Sequence, residues 1–205
     1  MLSEGKEELI KNFKLRNIEV EFFERLDQAS DRIKKLIGLE CTVGVGNSKT
    51  LKEMKISEKL RERGNKVYDK TLGKTREEVR ELKRQSLLTD WYITGSNAIS
   101  IEGHIVNIDH SGNRVAAMIY GPDKVIVVVG ENKICNTLED AKNRARNIAA
   151  PLNAKRAGYN PPCVELSRCV DCKSSERVCF NDVTIEGQYK KDRMRLFIVS
   201  EDIGF

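Results

Sequence analysis

Residues 124–129 read KVIVVV. A strand with one wet face alternates apolar and polar residues. This run does not alternate, and a continuous β-branched stretch marks a strand buried on both faces of a largely parallel sheet. Such a strand needs partners and cover. Outward from it, residues 41–45 and 90–94 (DWYIT) read as further strands, and all three are expected in one sheet with helices on both faces.

The remaining segments fit that plan. Residues 7–15, 24–37, 49–63, 75–87, 113–120 and 137–149 carry helical spacing or helix signals. Thr75 and Glu78 match a capping box at one helix start. Residues 18–23 (IEVEFF) and 66–68 read as strands, and residues 98–108 as two short strands around Glu102-Gly103. After Pro151 the pattern is expected to break into a loop, with closing strands at 182–188 and 195–200. Strands alternating with helices indicate an α/β protein. We expect an N-terminal helix within residues 1–17 and a single α/β domain over residues 18–205.

Composition narrows the class. The chain has 205 residues, 33% charged and 40% hydrophobic, with a formal net charge of +5. The charge is mild and spread over both halves, so neither nucleic acid nor a membrane is the expected partner. Attraction to a small anionic metabolite fits. No stretch approaches the roughly 20 apolar residues of a membrane span, and the charged start lacks a signal-peptide core. A cytoplasmic location is expected.

Two regions point to chemistry. Gly44 and Gly46 lie between a predicted strand and a predicted helix, followed by Asn47 and Ser48. Glycines allow a tight turn and close approach of an anion to backbone N–H groups. The pattern is neither a full dinucleotide fingerprint nor a phosphate-binding P-loop, and an ordinary strand-to-helix turn explains it equally. The second region, residues 94–114, crowds Asn97, Glu102, His104, Asn107, Asp109, His110, Asn113 and Arg114 into a short span. Glu102 and Asp109 are the candidate acid–base groups, and Arg114 is a candidate clamp for a carboxylate or phosphate. Each residue also has an ordinary explanation. Glu102-Gly103 suits a hairpin turn, Asn113 a helix cap and Asp109 a turn. Neither histidine is assigned a catalytic part.

Four of the six cysteines, Cys163, Cys169, Cys172 and Cys179, are spaced C-x5-C-x2-C-x6-C in a predicted loop over residues 160–181. In a reducing compartment a disulfide framework is not the expected reading. Four thiolates suit Zn²⁺ or a [4Fe–4S] cluster, although the spacing matches neither a zinc ribbon nor a ferredoxin. Redox-active or adventitious cysteines, or a disulfide, are the alternatives. Cys41 and Cys135 sit beside apolar runs and read as packing residues.

The stretches TVGVGNSKTLKEM, TGSNAISIEGHIVNIDHSGNRVAAMIYGPDKVIVVVGENKI, IAAPLNAKR and CVDCKSSERVC resemble the LUD-domain (lactate-utilization) family over residues 18–205. The resemblance implies the fold shared by ribose-5-phosphate isomerase, glucosamine-6-phosphate deaminase and coenzyme A transferases, here carrying a C-terminal Cys-rich loop. In those relatives the early glycine loop binds a phosphate or acyl group, and acidic residues at strand ends carry the chemistry. Gly44, Gly46, Asn47 and Ser48 match the loop. Asn97, Glu102, Asp109, Asn113 and Arg114 lie in the block corresponding to the active region. Some members belong to systems that oxidise lactate with iron–sulfur partners, so redox partner proteins are implied as well, and a homodimer is allowed for. The reading is of a protein acting on or binding a small organic acid, or a phosphorylated or acyl metabolite. The alternative is a redox or regulatory module whose four-cysteine centre is sensory or structural, without catalysis of its own.

Overall fold

The computed structural model describes residues 3–205, so Met1 and Leu2 of the expected N-terminal helix lie outside the described residues. The strands are β1 (Ile18–Phe23), β2 (Thr42–Val45), β3 (Lys66–Asp69), β4 (Trp91–Gly95), β5 (Ala98–Ser100), β6 (Ile105–Asp109), β7 (Lys124–Gly130), β8 (Ile134–Cys135), β9 (Asn181–Ile185) and β10 (Met194–Val199). The helices are α1 (Ser3–Leu15), α2 (Leu26–Leu36), α3 (Lys49–Met54), α4 (Ile56–Glu62), α5 (Arg76–Gln85), α6 (Asn113–Ile119), α7 (Leu138–Arg144), α8 (Ala150–Arg156) and α9 (Pro162–Leu166).

Strand β7 divides two cores. Side chains of a strand alternate between its faces. Val125, Val127 and Val129 enter one hydrophobic cluster, while Ile126 and Val128 enter the other, and all five are fully buried. β10 does the same, with Leu196 and Ile198 on one side and Phe197 and Val199 on the other. Both belong to a six-stranded sheet of order β1-β10-β7-β4-β2-β3 in which every pairing is parallel. The three strands expected to share a sheet are therefore neighbours in it.

The two faces are covered differently. On one, α2, α3 and α4 supply Ala29, Ile33, Leu51, Met54, Ile56 and Leu60. On the other, α1 and α6 supply Leu9, Phe13, Ala117 and Met118. They share this face with a second sheet of order β8-β5-β6-β9, which contributes Ile99, Ile105 and Ile185. Helices thus lie on both faces, but the second face is roofed largely by strands. No helix among the described residues is long and apolar enough to cross a membrane.

Two helices depart from the sequence expectation for physical reasons. The helix expected over 49–63 breaks at Lys55, which is left-handed (φ 53°). Met54 and Ile56 are both buried. Two residues apart on a continuous helix they would point about 200° away from each other, so the break lets both reach the core. Conversely, the helix expected to stop at 149 continues through Pro151 to Arg156. A π-helical turn, Ala145–Ala149, precedes the proline. Its wider coil accommodates a ring that would otherwise collide with a carbonyl one turn back.

Arg193 closes the end of α6. Its guanidinium donates to the carbonyls of Ala117 (3.1 Å), Met118 (2.7 Å) and Pro122 (3.1 Å) and to Gln188 Oε1 (2.7 Å). The last carbonyls of a helix have no partner within it, so this buried side chain satisfies groups that nothing else reaches. Arg193→Met is expected to destabilise the protein by about 2–4 kcal/mol, read as a lowered midpoint in urea denaturation.

Candidate functional site

Strand order creates the site. From β2 the chain moves outward to β3, and from β4 it moves the other way, towards β7. Ligands of open parallel sheets sit outside the carboxyl ends of strands where the connections diverge. A cleft of about 550 Å³ lies there. Asn47 and Ser48 line it from the end of β2, and Gly95, Ser96 and Asn97 from the end of β4. Asp109 ends β6, and Asn113 and Arg114 open α6.

Arg114 is held in place. Its Nε donates to Asp109 Oδ2 at 3.2 Å, and one terminal nitrogen donates to the Ile108 carbonyl at 2.7 Å and to Asn97 Oδ1 at 3.3 Å. Asn97 Oδ1 also accepts from the Ile108 N–H at 2.7 Å. One asparagine therefore ties the end of β4 to β6 and to the arginine. The other terminal nitrogen, Nη1, has no protein partner among the described residues and is free for a ligand.

The glycines act mainly through packing. The Gly46 N–H donates to the Ile93 carbonyl at 2.8 Å. A Cβ at Gly46 would meet Thr94 Oγ1 at 2.7 Å and Tyr92 Oη at 3.1 Å, and one at Gly44 would meet the Ser86 carbonyl at 2.8 Å. Neither glycine lines the cleft. Gly95 brings the two turns together, since a Cβ there would stand 2.5 Å from Ser48 Oγ. Close approach of the β2 and β4 ends is what these residues permit.

Glu102 lies elsewhere. It sits in the β5–β6 turn, where its carboxylate accepts from the Leu138 N–H at 2.7 Å and caps α7. It does not line the cleft. His104 is buried between Ser100 (2.9 Å) and Arg16 (3.1 Å), and burial, followed by the Arg16 charge, pushes its pKa down. His110 does line the cleft, stacked near Tyr159 and Phe180.

The sequence reading missed most of the charge. Lys49, Lys52, Lys70, Lys83, Lys133 and Arg156 join Arg114 around the cleft, against one acidic side chain, Asp109. They come from separate segments and resemble solvated surface residues one at a time. Together they repel one another. The Lys70 amine is pushed down by burial and then by Lys83 and Arg156, and Arg156 by burial and then by Arg114. Lys133 is only 3% exposed and has no ion pair among the described residues. Its amine donates to the Ser96 carbonyl (3.2 Å) and Thr50 Oγ1 (3.3 Å). Burial, with Arg144 and Arg114 nearby, brings its pKa down to about 7.

Cys163, Cys169, Cys172 and Cys179 share a second cavity of about 70 Å³ with Ile108, which also borders the cleft. Cys163 lies on the short helix α9, where the sequence suggested only loop. Its thiol is pushed up by burial and then by the other three cysteines. Cys179 Sγ accepts from Arg177 at 3.4 Å. The donors suit a soft metal, but the four side chains do not stand as a formed site. Among the described residues no group of three or more His, Cys, Asp or Glu side chains is placed to hold a metal ion. Cys41 and Cys135 are half-buried and pack at the edges of hydrophobic clusters.

The depressed Lys133 pKa carries a stability signature. The folded state holds fewer protons than the unfolded chain between about pH 7 and the ordinary lysine pKa of about 10.4. The cost of the buried charge is fully present below that window and is lost as pH rises through it. Lys133→Met is therefore expected to raise the melting temperature at pH 6, with the gain shrinking by pH 10. Thermal unfolding at the two pH values checks this.

Comparison with known proteins follows the same lines. The LUD domain family model matches residues 6–199. No curated protein matches the chain. Among solved structures, a DUF162 family protein from Deinococcus radiodurans is similar at 18% identity with a TM-score of 0.49, covering 97% of this chain and 98% of that one. Ribose 5-phosphate isomerase A from Methanocaldococcus jannaschii is similar at 18% identity and a TM-score of 0.38, over 55% of this chain and 54% of that one. For eIF2B beta from Chaetomium thermophilum the values are 17% and 0.39, over 67% and 48%. With the family model spanning nearly the whole α/β architecture, from α1 to the end of β10, this chain belongs to the LUD domain family.

Proposed function

We propose that the cleft binds a small organic acid, or a phosphorylated or acyl metabolite, through its anionic group. The observation that carries this reading is the seven basic side chains facing one carboxylate across a cleft at the strand-order divergence. Mutually repelling cations gain when an anion enters between them. Arg114, pinned through Asp109 and Asn97 with one terminal nitrogen free, is the clamp. Asn47, Ser48 and Asn113 supply polar contacts. Asp109 is the acidic group at hand for proton transfer, while Glu102 is engaged at α7. A role in lactate utilization, with iron–sulfur proteins as redox partners, belongs to the same proposal.

Isothermal titration with inorganic phosphate and with lactate tests it. Binding is expected to weaken as sodium chloride rises. It is also expected to weaken as pH rises through about 7, because the anion favours the protonated Lys133 amine and that proton is then lost. Arg114→Met is expected to reduce affinity by roughly 10- to 100-fold, the weight of a hydrogen bond to a charged group. Affinity unchanged in that variant, or insensitive to salt, removes the reading.

A second reading concerns the cysteines. We infer that the loop carrying Cys163, Cys169, Cys172 and Cys179 gathers into a Zn²⁺ or [4Fe–4S] centre, with a structural, sensory or electron-transfer role. The shared cavity favours it. Loading has to draw the thiols closer than they stand, so the bound and empty loops should differ in protease sensitivity. Protein purified anaerobically is expected to hold iron or zinc, and Cys172→Ser is expected to lose it while Cys41→Ser keeps it. Metal analysis and an absorption spectrum decide the matter. Wild-type protein holding neither metal ends this reading.

A further inference from the structure

Lys133 lines the cleft, and its enclosure goes beyond what attracting an anion requires. A lysine that serves only to attract an anion does best with its amine in water and fully charged. Lys133 is instead almost wholly enclosed. It leaves β7 through a tight turn, Glu131–Lys133. A Cβ at Gly204 would stand 2.7 Å from its nitrogen, so that side of the amine is closed by backbone.

The hydrogen bonding has the count of a neutral amine. The Ser96 carbonyl and Thr50 Oγ1 each accept one N–H. No third partner stands beside the nitrogen among the described residues. A protonated amine would carry a third donor with no protein partner, whereas a neutral amine keeps a lone pair there. The charged groups facing it are Arg144 from α7, Arg114 from α6, and Lys49 and Glu53 from α3. Glu53 is the only acid among them, and it pairs with Lys49 at 3.7 Å. Enclosure beside other cations is how a lysine becomes a nucleophile near neutral pH.

Resting on the anion-binding reading above, we propose that Lys133 forms an imine with an aldehyde or ketone that carries a carboxylate or phosphate. The nitrogen lone pair attacks the carbonyl carbon and forms the C–N bond, while the carbonyl π electrons move to oxygen, which takes up a proton. The nitrogen gives up one proton, and the carbinolamine then expels its oxygen as water with a second proton uptake. The product is the protonated imine, whose C=N bond replaces the original C=O bond, with one net proton taken from solvent, one water released for each imine formed and no oxidant or reductant needed. Arg114 holds the anionic end. The ligand class narrows to a small oxo acid or phosphorylated carbonyl compound.

The folding of the wild-type chain is not in question in the decisive experiment. Native protein is incubated with glyoxylate and sodium cyanoborohydride, which reduces an imine to a stable amine, and the adducts are located by peptide mass mapping. At neutral pH the neutral fraction of an amine of pKa about 7 exceeds that of an ordinary lysine by roughly a thousandfold. Lys133 is therefore expected to be modified first, and the excess over exposed lysines should narrow as pH rises towards 10. Phosphate should slow the labelling, and the uncharged acetaldehyde should label Lys133 at least about tenfold more slowly than glyoxylate, the weight of a charged hydrogen bond.

Adducts scattered over exposed lysines with Lys133 spared would overturn the imine. If phosphate still binds the cleft in titration, the anion-binding reading survives that loss. Rapid labelling of Lys133 by acetaldehyde and glyoxylate alike would overturn the assigned ligand class. Labelling that phosphate does not slow, with no phosphate binding in titration, would instead count against the anion site while the nucleophile stands.

Discussion

A strand with no polar face cannot touch water on either side without cost. Fully burying a valine or isoleucine is favourable by roughly 1.5–3 kcal/mol, so five such residues in β7 force cover above and below. That constraint sets the architecture. It favours parallel neighbours, because the crossover connections that parallel strands need place elements on the faces. It also requires those connections to be long enough to carry helices or, here, a second sheet. The cleft follows from the same constraint, since parallel strands end together and their outgoing turns converge at one edge.

The convergence explains why the cleft is polar while the strands beneath it are not. Residues within β2 and β4 are committed to the two cores. Residues one to three positions beyond their ends are not, and among those are Asn47, Ser48, Ser96 and Asn97. Asn97 is the least replaceable of them. Its single side-chain oxygen accepts from the Ile108 backbone and from Arg114, so it fixes a cleft-lining cation relative to two strands at once. Aspartate there would accept the same bonds but add a second negative charge beside Asp109.

What the sequence makes legible follows from this physics. Continuous β-branched runs announce the parallel strands, and the capping residues Thr75 and Glu78 announce the start of α5, where both halves of the capping box form. Asp109, Arg114, Asn97, Asn47 and Ser48 stand in short polar interruptions between apolar runs, where binding groups belong, and the structure brings them to one cleft. Lys49 and Lys133 also stand in such interruptions, after Ser48 and in the Glu131–Lys133 turn, but the remaining cations do not. Lys70 follows β3, Lys83 rides on an exposed helix and Arg156 ends α8, so only the tertiary fold assembles them. Glu102 illustrates the opposite case. A carboxylate in a polar block looks functional, yet the hairpin turns it towards the start of α7. The continuation of α8 past Pro151 was hidden as well, because a π turn depends on the backbone and leaves no mark in the hydrophobic period.

The thiol loop and the cleft are mechanically continuous. Val178, between Cys172 and Cys179 in sequence, is almost fully buried and borders the cleft, and Ile108 borders both cavities. On the loop side Arg177 holds Cys179 and lies over Phe180 at 5.5 Å. Phe180 meets His110, which meets Tyr159, and these last two line the cleft. Close-packed side chains transmit displacement because there is little void to absorb it. Val178 and the aromatic stack are therefore the packed links between the four-cysteine loop and the cleft. The cleft has one wall made of strand ends, which the double-sided core holds fixed. Its other wall borders the loop that carries the four clustered cysteines, through Val178 and Ile108.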